Sequence, residues 1–283
     1  MKISAHIAYY HYAEKEYSNK RYKYVVSMLN DYFNEWEVKQ IDIFIHTNTE
    51  DSKIILDELI SKPHIRVSFI IHDLSNENPH NLTWKHRTLM ETQKDDYDVF
   101  LYLEDDIGMP YKAFQYWLKY KDNLYSEGYD VGFVRVETLN NKDYFCSDIV
   151  QPCSCYLPIN DRYFVWNHQN YCAFWICDKD ALSYFILSPY WKQHGLFPHG
   201  LDKPQAHFIR ESAAIGYKMN YDRMLSMHPG ITSMGSMYPL DENKEYISDI
   251  CFVHHLANNY INAPGFVQGK FNVKQMVENP IFT

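Results

Sequence analysis

The chain has 283 residues and a formal net charge of −9 at pH 7. This acidic balance argues against a nucleic-acid-binding protein, because such proteins usually present a basic surface. Aromatic residues make up 17% of the chain, with 25 Tyr and 16 Phe, and they suit both core packing and stacking on bases or sugar rings. The length can bury the core of one large domain, and we interpret residues 1–283 as a single domain.

The sequence also predicts where the protein resides. No apolar run approaches the ~18 residues of a membrane helix, and residues 1–7 enter a strand-like pattern without a long apolar signal segment. The six cysteines lack the paired spacing of a zinc site, so we expect reduced and mostly buried thiols. We therefore expect a cytoplasmic protein without a transmembrane segment, which leaves peripheral membrane contact open.

The first half of the chain alternates strands and helices at short intervals. Strands are predicted at 3–9, 41–46, 65–71, 99–103 and 130–137, and helices at 20–33, 52–61, 82–94 and 111–126. This alternation is typical of an α/β fold with a mixed, mostly parallel central sheet that helices flank.

The regular alternation ends near residue 140. An aromatic strand is predicted at 163–176, followed by a helix at 179–187, a long loop at 188–203 and a helix at about 208–216. The C-terminal half is therefore expected to be rich in loops.

The most informative stretch is the apolar run 99–103, which is followed directly by Glu104, Asp105 and Asp106. We call these three residues the acidic cluster. Adjacent carboxylates repel one another, and Mg²⁺ or Mn²⁺ would stabilise them because these ions take oxygen ligands and are bridged by phosphates. Ligands of open α/β sheets bind at the carboxyl ends of strands, where the cluster falls. The alternative is a solvated acidic turn before the helix that Pro110 opens.

Together these parts resemble a nucleotide-sugar glycosyltransferase of the GT-A fold. Residues 99–107, Val-Phe-Leu-Tyr-Leu-Glu-Asp-Asp-Ile, are similar to the DXD motif at the end of a central strand, in its Glu-Asp-Asp form. Residues 171–182, Tyr-Cys-Ala-Phe-Trp-Ile-Cys-Asp-Lys-Asp-Ala-Leu, are similar to the strand and helix whose loop faces donor sugar and acceptor. The resemblance covers roughly residues 1–260 and assigns neither a particular family nor a particular sugar. It implies that residues 1–140 bind the nucleotide sugar, and that residues 141–283 form the acceptor-binding half and the C-terminal tail.

The resemblance implies a metal site. Asp106 would bind Mn²⁺ or Mg²⁺ against the donor diphosphate, so that the metal neutralises charge on the leaving group. Glu104 and Asp105 would contact the ribose, or the metal through water. His255 or alternatively His254 would complete the metal shell, since neighbours on an extended strand point to opposite faces. A structural or surface role for both histidines is the alternative.

The resemblance also implies a catalytic base. Many inverting members carry their catalytic acid at a helix start, which here reads Arg210-Glu211-Ser212. Glu211 would take the proton from the acceptor hydroxyl as it attacks the anomeric carbon. The alternatives are Asp202 as the base, or a structural Glu211 that the helix dipole stabilises. If neither acid is placed for this task, a retaining mechanism stays open.

Nucleotide contacts are expected at the ends of the early strands and on the helix before the acidic cluster. These candidates are Ala8, Tyr9, Tyr10, Thr47, Asn48, Asp73, Trp84, Lys85 and Arg87. For each, the alternative is an ordinary surface polar residue or a packed aromatic. Acceptor contacts are expected in the aromatic second half, at Trp166, Asn167 and His168.

The sequence thus predicts an enzyme, a metal-dependent and inverting glycosyltransferase. It would move a hexosyl or N-acetylhexosaminyl group from a nucleotide-diphosphate donor, preferably a UDP-sugar, to a hydroxyl of a glycan or glycolipid-like acceptor. One alternative is a non-catalytic glycan- or nucleotide-binding module of the same fold. The other is a sugar nucleotidyltransferase, which the absence of glycine from residues 9–12 (Tyr-Tyr-His-Tyr) disfavours.

Overall fold

The structure is a computed structural model of the chain. It describes residues 1–12, 15–127, 129–139, 143–147, 153–167, 171–192, 209–210, 212–214, 236–263, 271–275 and 277. The chain forms two compact units, one of Met1–Ile107 with Ala173–Asn220 and the other of Gly108–Cys172 with Tyr221–Thr283. The boundaries between these units follow Ile107, Cys172 and Asn220, and none lies at residue 140. The assignment of donor binding to residues 1–140 and of acceptor binding to residues 141–283 stays a prediction.

The strands and helices follow one another along the whole chain. The strands within the described residues are β1 (Lys2–Ala8), β2 (Gln40–Thr47), β3 (Ile65–Ile71), β4 (Val99–Glu104), β5 (Ile107–Gly108), β6 (Asp130–Val131), β7 (Val134–Leu139), β8 (Asp143–Cys146), β9 (Ser154–Ile159), β10 (Arg162–Asn167), β11 (Phe174–Asp178), β12 (Ser236–Pro239), β13 (Phe252–His255) and β14 (Phe271–Asn272). The α-helices there are α1 (Lys15–Ser27), α2 (His86–Thr92), α3 (Tyr111–Ser126), α4 (Lys179–Leu187) and α5 (Pro189–Lys192). Shorter turns are the π-helical Met28–Tyr32 and the 3₁₀-helical Phe33–Glu35, Glu50–Glu58, Pro79–Trp84, Asp249–Cys251 and Val273–Gln275.

The first unit is built on a five-stranded sheet in the order β11-β4-β1-β2-β3. Strands β4, β1, β2 and β3 run parallel, and β11 pairs antiparallel with β4. All six residues of β4 are buried, which is what a parallel strand covered on both faces requires. The predicted mixed and mostly parallel sheet is confirmed.

A chain of hydrogen-bonded histidines crosses this sheet. The side-chain oxygen Oε1 of Gln93 can only accept, so His6 Nε2–H donates to it at 3.1 Å. His46 Nε2–H then donates to His6 Nδ1 at 2.9 Å, and His72 Nε2–H donates to His46 Nδ1 at 2.8 Å. Burial lowers the pKa of His6 to about 3 and lowers the pKa of His46 well below its usual range. Both rings are therefore neutral at pH 7.

The second unit contains two further sheets. Strands β6, β12, β10 and β9 form one in that order, and β14, β8, β7 and β13 are consecutive in the other. The strand predicted at 130–137 is broken at Gly132, whose N–H donates to the Met237 carbonyl at 2.8 Å. A Cβ at Gly132 would lie 2.6 Å from that carbonyl oxygen, so the chain passes from one sheet to the other where only glycine fits.

Several expected element bounds differ from the structure. The aromatic strand predicted at 163–176 is two strands, β10 and β11, and Ala173 between them has a positive φ of 57°. The helix predicted at 52–61 is the 3₁₀ helix Glu50–Glu58, which the Thr49 hydroxyl caps by accepting from the Asp51 N–H. Helix α3 has the predicted bounds, with Pro110 directly before it.

The structure bears on the expectations about the cysteines and about membrane-spanning helices. Five of the cysteines that the structure describes, Cys146, Cys153, Cys172, Cys177 and Cys251, are buried and form no disulfide. The expectation that the thiols are reduced stays a prediction. Among the helices in the described ranges, none has the length and apolar character needed to cross a membrane.

Candidate active site

The acidic cluster lies where two central parallel strands end side by side. Ala8 at the end of β1 pairs with Glu104 at the end of β4. Glu104, Asp105 and Asp106 are only 4%, 3% and 7% exposed. Three carboxylates so far out of water require positive charge nearby, and the alternative of a solvated acidic turn therefore does not hold.

A pocket in the first unit opens over this end of the sheet. It encloses about 440 Å³, including the part that is open to solvent. Its walls carry two phenol rings, two of the carboxylates and two guanidinium groups: Tyr10, Tyr12, Glu104, Asp105, Arg21 and Arg210. Aromatic faces beside paired charges are suited to a ligand with both a ring and anionic groups.

Arg21, from α1, is the main counter-ion of the cluster. Its Nε–H donates to Asp105 Oδ2 at 2.7 Å, and its Nη2–H donates to Asp105 Oδ1, so the pair is bidentate. The same Nη2 lies 3.5 Å from Asp106 Oδ2. Burial raises the pKa of the Asp105 carboxyl, and the neighbouring Arg21 charge opposes that shift. One cationic group is thus in reach of both aspartates.

Arg210 is the second counter-ion. Its Nε lies 3.3 Å from Glu104 Oε2, and it belongs to a short helical segment that the structure describes at residues 209–210 and 212–214. Three carboxylates therefore face two guanidinium groups that come from distant parts of the chain.

The donor set of the cluster fits a hard divalent cation. Asp105 and Asp106 converge on a single nitrogen of Arg21, and carboxylate oxygens are what Mg²⁺ and Mn²⁺ prefer. Within the described ranges, no group of three or more His, Cys, Asp or Glu side chains is arranged to hold a metal. Mg²⁺ is commonly bound by one or two carboxylates together with substrate phosphates and water, and the two aspartates meet that requirement.

The predicted nucleotide contacts at the strand ends have different surroundings. Ala8 and Tyr10 line the pocket. Tyr9 is fully buried, and Thr47, also buried, shares a 2.6 Å hydrogen bond with the Ser52 hydroxyl. Asp73 is exposed and accepts from the Ser75 N–H at 2.9 Å.

Asn48 also has a structural task, since it fixes the segment after β1. Its Oδ1 accepts from the His11 N–H at 2.8 Å, and its Nδ2 donates to the His11 carbonyl at 3.0 Å. These two bonds hold the backbone next to Tyr10 and Tyr12, whose rings line the pocket.

Three predicted contacts on the segment before the cluster are engaged within the protein. The Trp84 indole N–H donates to the Ile209 carbonyl at 2.7 Å. The buried Arg87 donates to the carbonyls of Tyr190, Trp191 and Ala213 at 2.6, 2.6 and 3.1 Å. Lys85 pairs with Glu77 at 2.7 Å. Trp84 and Arg87 thus hold the segment that carries Arg210 in place within the first unit.

The second unit contains the predicted histidine ligands on β13. His255 Nδ1–H donates to Glu137 Oε1 at 2.5 Å. Burial raises the pKa of Glu137, but His255 and the N–H groups of Ile261 and Tyr260 outweigh it and hold the pKa below its usual range. Carboxylates commonly orient metal-binding imidazoles in this way, and a metal would have to bind Nε2.

His254, the residue before His255 on β13, has other surroundings. It is half-buried, and burial and then the Lys112 charge lower its pKa to about 4. Its ring lies 6.4 Å from the Tyr144 ring. The two histidines occupy consecutive positions of an extended strand, and the Glu137 contact favours His255.

Some of the remaining candidates lie within the described residues and some lie outside them. Glu211, Asp202 and His168 lie outside the described residues. Trp166 and Asn167 belong to β10, and the buried Asn167 amide lies 3.7 Å from Cys153 Sγ. Their proposed roles stay predictions.

The sequence does not identify Arg21 as a site residue and indicates Arg210 only as the residue before Glu211. Arg21 is 84 residues from Asp105 in the chain, and nothing in its local sequence distinguishes it from the other cations of α1. The only usable signal was indirect, since buried carboxylates must have counter-ions.

Comparison with known proteins gives partial structural overlaps only. The sequence matches no protein-family model and no curated protein. Mouse xyloside xylosyltransferase 1 overlaps with a TM-score of 0.32 at 12% identity, over 48% of this chain and 53% of that one. Staphylococcus aureus TarS 1–349 overlaps with a TM-score of 0.40 at 13% identity, over 76% of this chain and 56% of that one. A Desulfovibrio desulfuricans G20 protein named as a nucleotide-diphospho-sugar transferase overlaps with a TM-score of 0.38 at 11% identity, over 79% of this chain and 76% of that one.

The chain spans only about half the length of the first two of these structures. Two of the three, the mouse and the Desulfovibrio desulfuricans proteins, are transferases by name. The sheet of the first unit is of the mixed, mostly parallel type that the GT-A resemblance implies. The functional argument therefore depends on the chain's own side chains.

Proposed function

We propose that the protein is a metal-dependent glycosyltransferase that takes a sugar from a nucleotide-diphosphate donor. The observation that carries the proposal is the buried acidic cluster at the carboxyl end of β4, facing a pocket with phenol rings and two guanidinium groups. Folding such a cluster costs free energy, and binding a cation with a diphosphate is a function that would repay it.

The acidic cluster and the tyrosines of the pocket each have a task that matches their chemistry. Asp105 and Asp106 would hold Mn²⁺ or Mg²⁺, which when bound neutralises charge on the departing diphosphate. Glu104, with Arg210 beside it, would accept a hydrogen bond from a ribose hydroxyl. Tyr10 and Tyr12 present rings to the base, and a UDP-sugar is the proposed donor.

The proton of the acceptor hydroxyl requires a base. We assign this role to Glu211, because it follows Arg210 in the sequence and Arg210 contacts the acidic cluster. Asp202 is the alternative. The acceptor is a hydroxyl of a glycan or glycolipid-like molecule, and its proton passes to the carboxylate as its oxygen bonds to the anomeric carbon. The bond from that carbon to the diphosphate breaks on the opposite face, so the transfer inverts the anomeric centre.

The second unit contributes two further proposals. Glu137 orients His255, which we propose as a nitrogen ligand of a divalent cation, with His254 as the alternative. Trp166 and Asn167, together with His168, are the proposed acceptor contacts, since Trp stacks well on sugar rings.

A thermal-shift panel of nucleotide sugars with and without Mn²⁺ tests the donor. We expect one donor to raise Tm only when Mn²⁺ is present, because a ligand that binds the native state stabilises it. Asp106→Asn should abolish that shift, and the exposed control Asp96→Asn should preserve it. A panel in which no nucleotide sugar shifts Tm under either condition would contradict the proposal.

A transfer assay with the identified donor separates the enzyme from a binding module. Glu211→Gln should abolish transfer while it preserves the donor-induced Tm shift, and Glu242→Gln, at an exposed acid, should transfer at the parental rate. Donor binding without turnover in the parent would indicate a non-catalytic module, and pyrophosphate release from a sugar phosphate and UTP would indicate a nucleotidyltransferase.

A further inference from the structure

The Arg21 guanidinium lies against the carboxylates of Asp105 and Asp106. It uses both oxygens of Asp105 and also lies within 3.5 Å of Asp106. The aspartate side chains are 4% and 10% exposed, whereas the Arg21 side chain is 19% exposed and lines the pocket. The guanidinium thus lies between buried carboxylates and an open pocket.

A cation and this guanidinium compete for the same oxygens. Since both Asp105 oxygens accept from Arg21, a metal bound by that carboxylate must displace at least one of the two N–H donors. A divalent ion beside an undisplaced guanidinium would also meet like-charge repulsion in a buried site. Arg21 therefore opposes binding of a metal on its own.

A bound diphosphate changes the competition between the cation and Arg21, because it changes the net charge of the site. Three carboxylates and two guanidinium groups leave a formal charge of −1. A divalent cation alone changes this to +1 and a diphosphate diester alone to −3, whereas both together restore −1. A displaced guanidinium also matches phosphate oxygens in geometry, because its planar fork donates two parallel hydrogen bonds.

We propose that Arg21 is an exchangeable counter-ion: a divalent cation displaces it from Asp105 and Asp106, and the displaced guanidinium then binds the donor's diphosphate. Arg21 would thereby make metal binding and donor binding cooperative, with each ligand strengthening the other by the same factor. This inference depends on the proposed function for its second half only. The displacement itself concerns the metal alone.

The test measures Mn²⁺ affinity by electron paramagnetic resonance of the free ion, with and without UDP. Relative to the parent, Arg21→Gln should bind Mn²⁺ alone at least about five-fold more tightly, because the competing cation is gone. The gain in Mn²⁺ affinity that UDP produces should fall about ten-fold, because one phosphate ligand is lost. Arg66→Gln, at an exposed arginine of β3, should match the parent in both measurements.

Other outcomes would refute the displacement, the contact with the diphosphate, or the proposed donor. If Arg21→Gln binds Mn²⁺ alone no more tightly than the parent, the displacement is refuted. If it binds more tightly and UDP enhances Mn²⁺ binding as much as in the parent, the guanidinium does not bind the diphosphate. If UDP does not affect Mn²⁺ binding even in the parent, the proposed donor fails, while the metal measurement still tests the displacement.

A second variant decides the matter should Arg21→Gln fail to fold. Arg21→Lys keeps the charge but loses the fork, so a lysine can neutralise only part of the aspartate pair. We expect it to fold, to bind Mn²⁺ alone more tightly than the parent and to lose part of the UDP enhancement. Parental values in Arg21→Lys for both quantities would overturn the proposal.

Discussion

Replacing Arg87 by methionine tests whether this buried arginine holds the active-site segment in place. Its guanidinium donates to three carbonyls, those of Tyr190, Trp191 and Ala213, and lies 3.8 Å from the Trp84 ring centre. Burial lowers the pKa of Arg87 to about 9, which still keeps it charged at pH 7. Arg87→Met preserves much of the apolar stem and removes every donor.

The expected loss follows from the number and kind of bonds. Hydrogen bonds to a charged group contribute about 1.5–3 kcal/mol each, so three would sum to roughly 4–9 kcal/mol. Methionine avoids the cost of burying a charge, which offsets part of this loss. We therefore expect the first unit to lose about 3–5 kcal/mol, the range for breaking a buried charged contact.

Urea unfolding at 25 °C and pH 7.5 measures this loss. With a slope of about 2 kcal/mol per molar urea, the midpoint of Arg87→Met should fall by roughly 2 M. The exposed control Lys94→Met should remain within about 0.5 kcal/mol of the parent, as surface substitutions usually do. A loss below about 1 kcal/mol in Arg87→Met would refute the structural role and return Arg87 to the candidates for nucleotide binding.

Two further predictions concern groups buried in each unit. The lowered pKa values of His6 and His46 mean that below pH 6.5 the unfolded chain takes up protons that the native state refuses. Stability should therefore fall from pH 6.5 towards the native pKa values, by about 1.4 kcal/mol per pH unit for each histidine. Equal urea midpoints at pH 7.5 and 5.5 would contradict this. Glu137→Gln should destabilise the second unit by about 3 kcal/mol, because a buried acceptor of three donors loses its charge. Thermal melts at pH 7.5 measure the change, and an unchanged Tm would show that the bond from His255 to Glu137 contributes little.

The local part of the site could be predicted from the sequence. Strand β4 and the acidic cluster are recognisable because an apolar run that ends in adjacent acids is a pattern within nine consecutive residues. The parallel sheet followed from the alternation of strands and helices for the same reason. Strand breaks were missed where one residue decides them, as at Gly132, whose close approach to Met237 has no local signal.

The roles of the arginines could not be predicted because they depend on distant partners. Arg87 was expected to meet a nucleotide, yet carbonyls more than 100 residues away accept its hydrogen bonds. Arg21 was not considered, although it contacts two acids of the cluster. Sequence shows which charged residues exist, and only the folded chain shows which of them neutralise one another.

A crystal structure with Mn²⁺ and UDP bound, with data collected at the manganese absorption edge, tests the central claim most directly. The account predicts an anomalous peak between Asp105 and Asp106, with the diphosphate bridging to it and Arg21 moved from the carboxylates to a phosphate. A manganese peak elsewhere, with Arg21 still bidentate on Asp105, would contradict it.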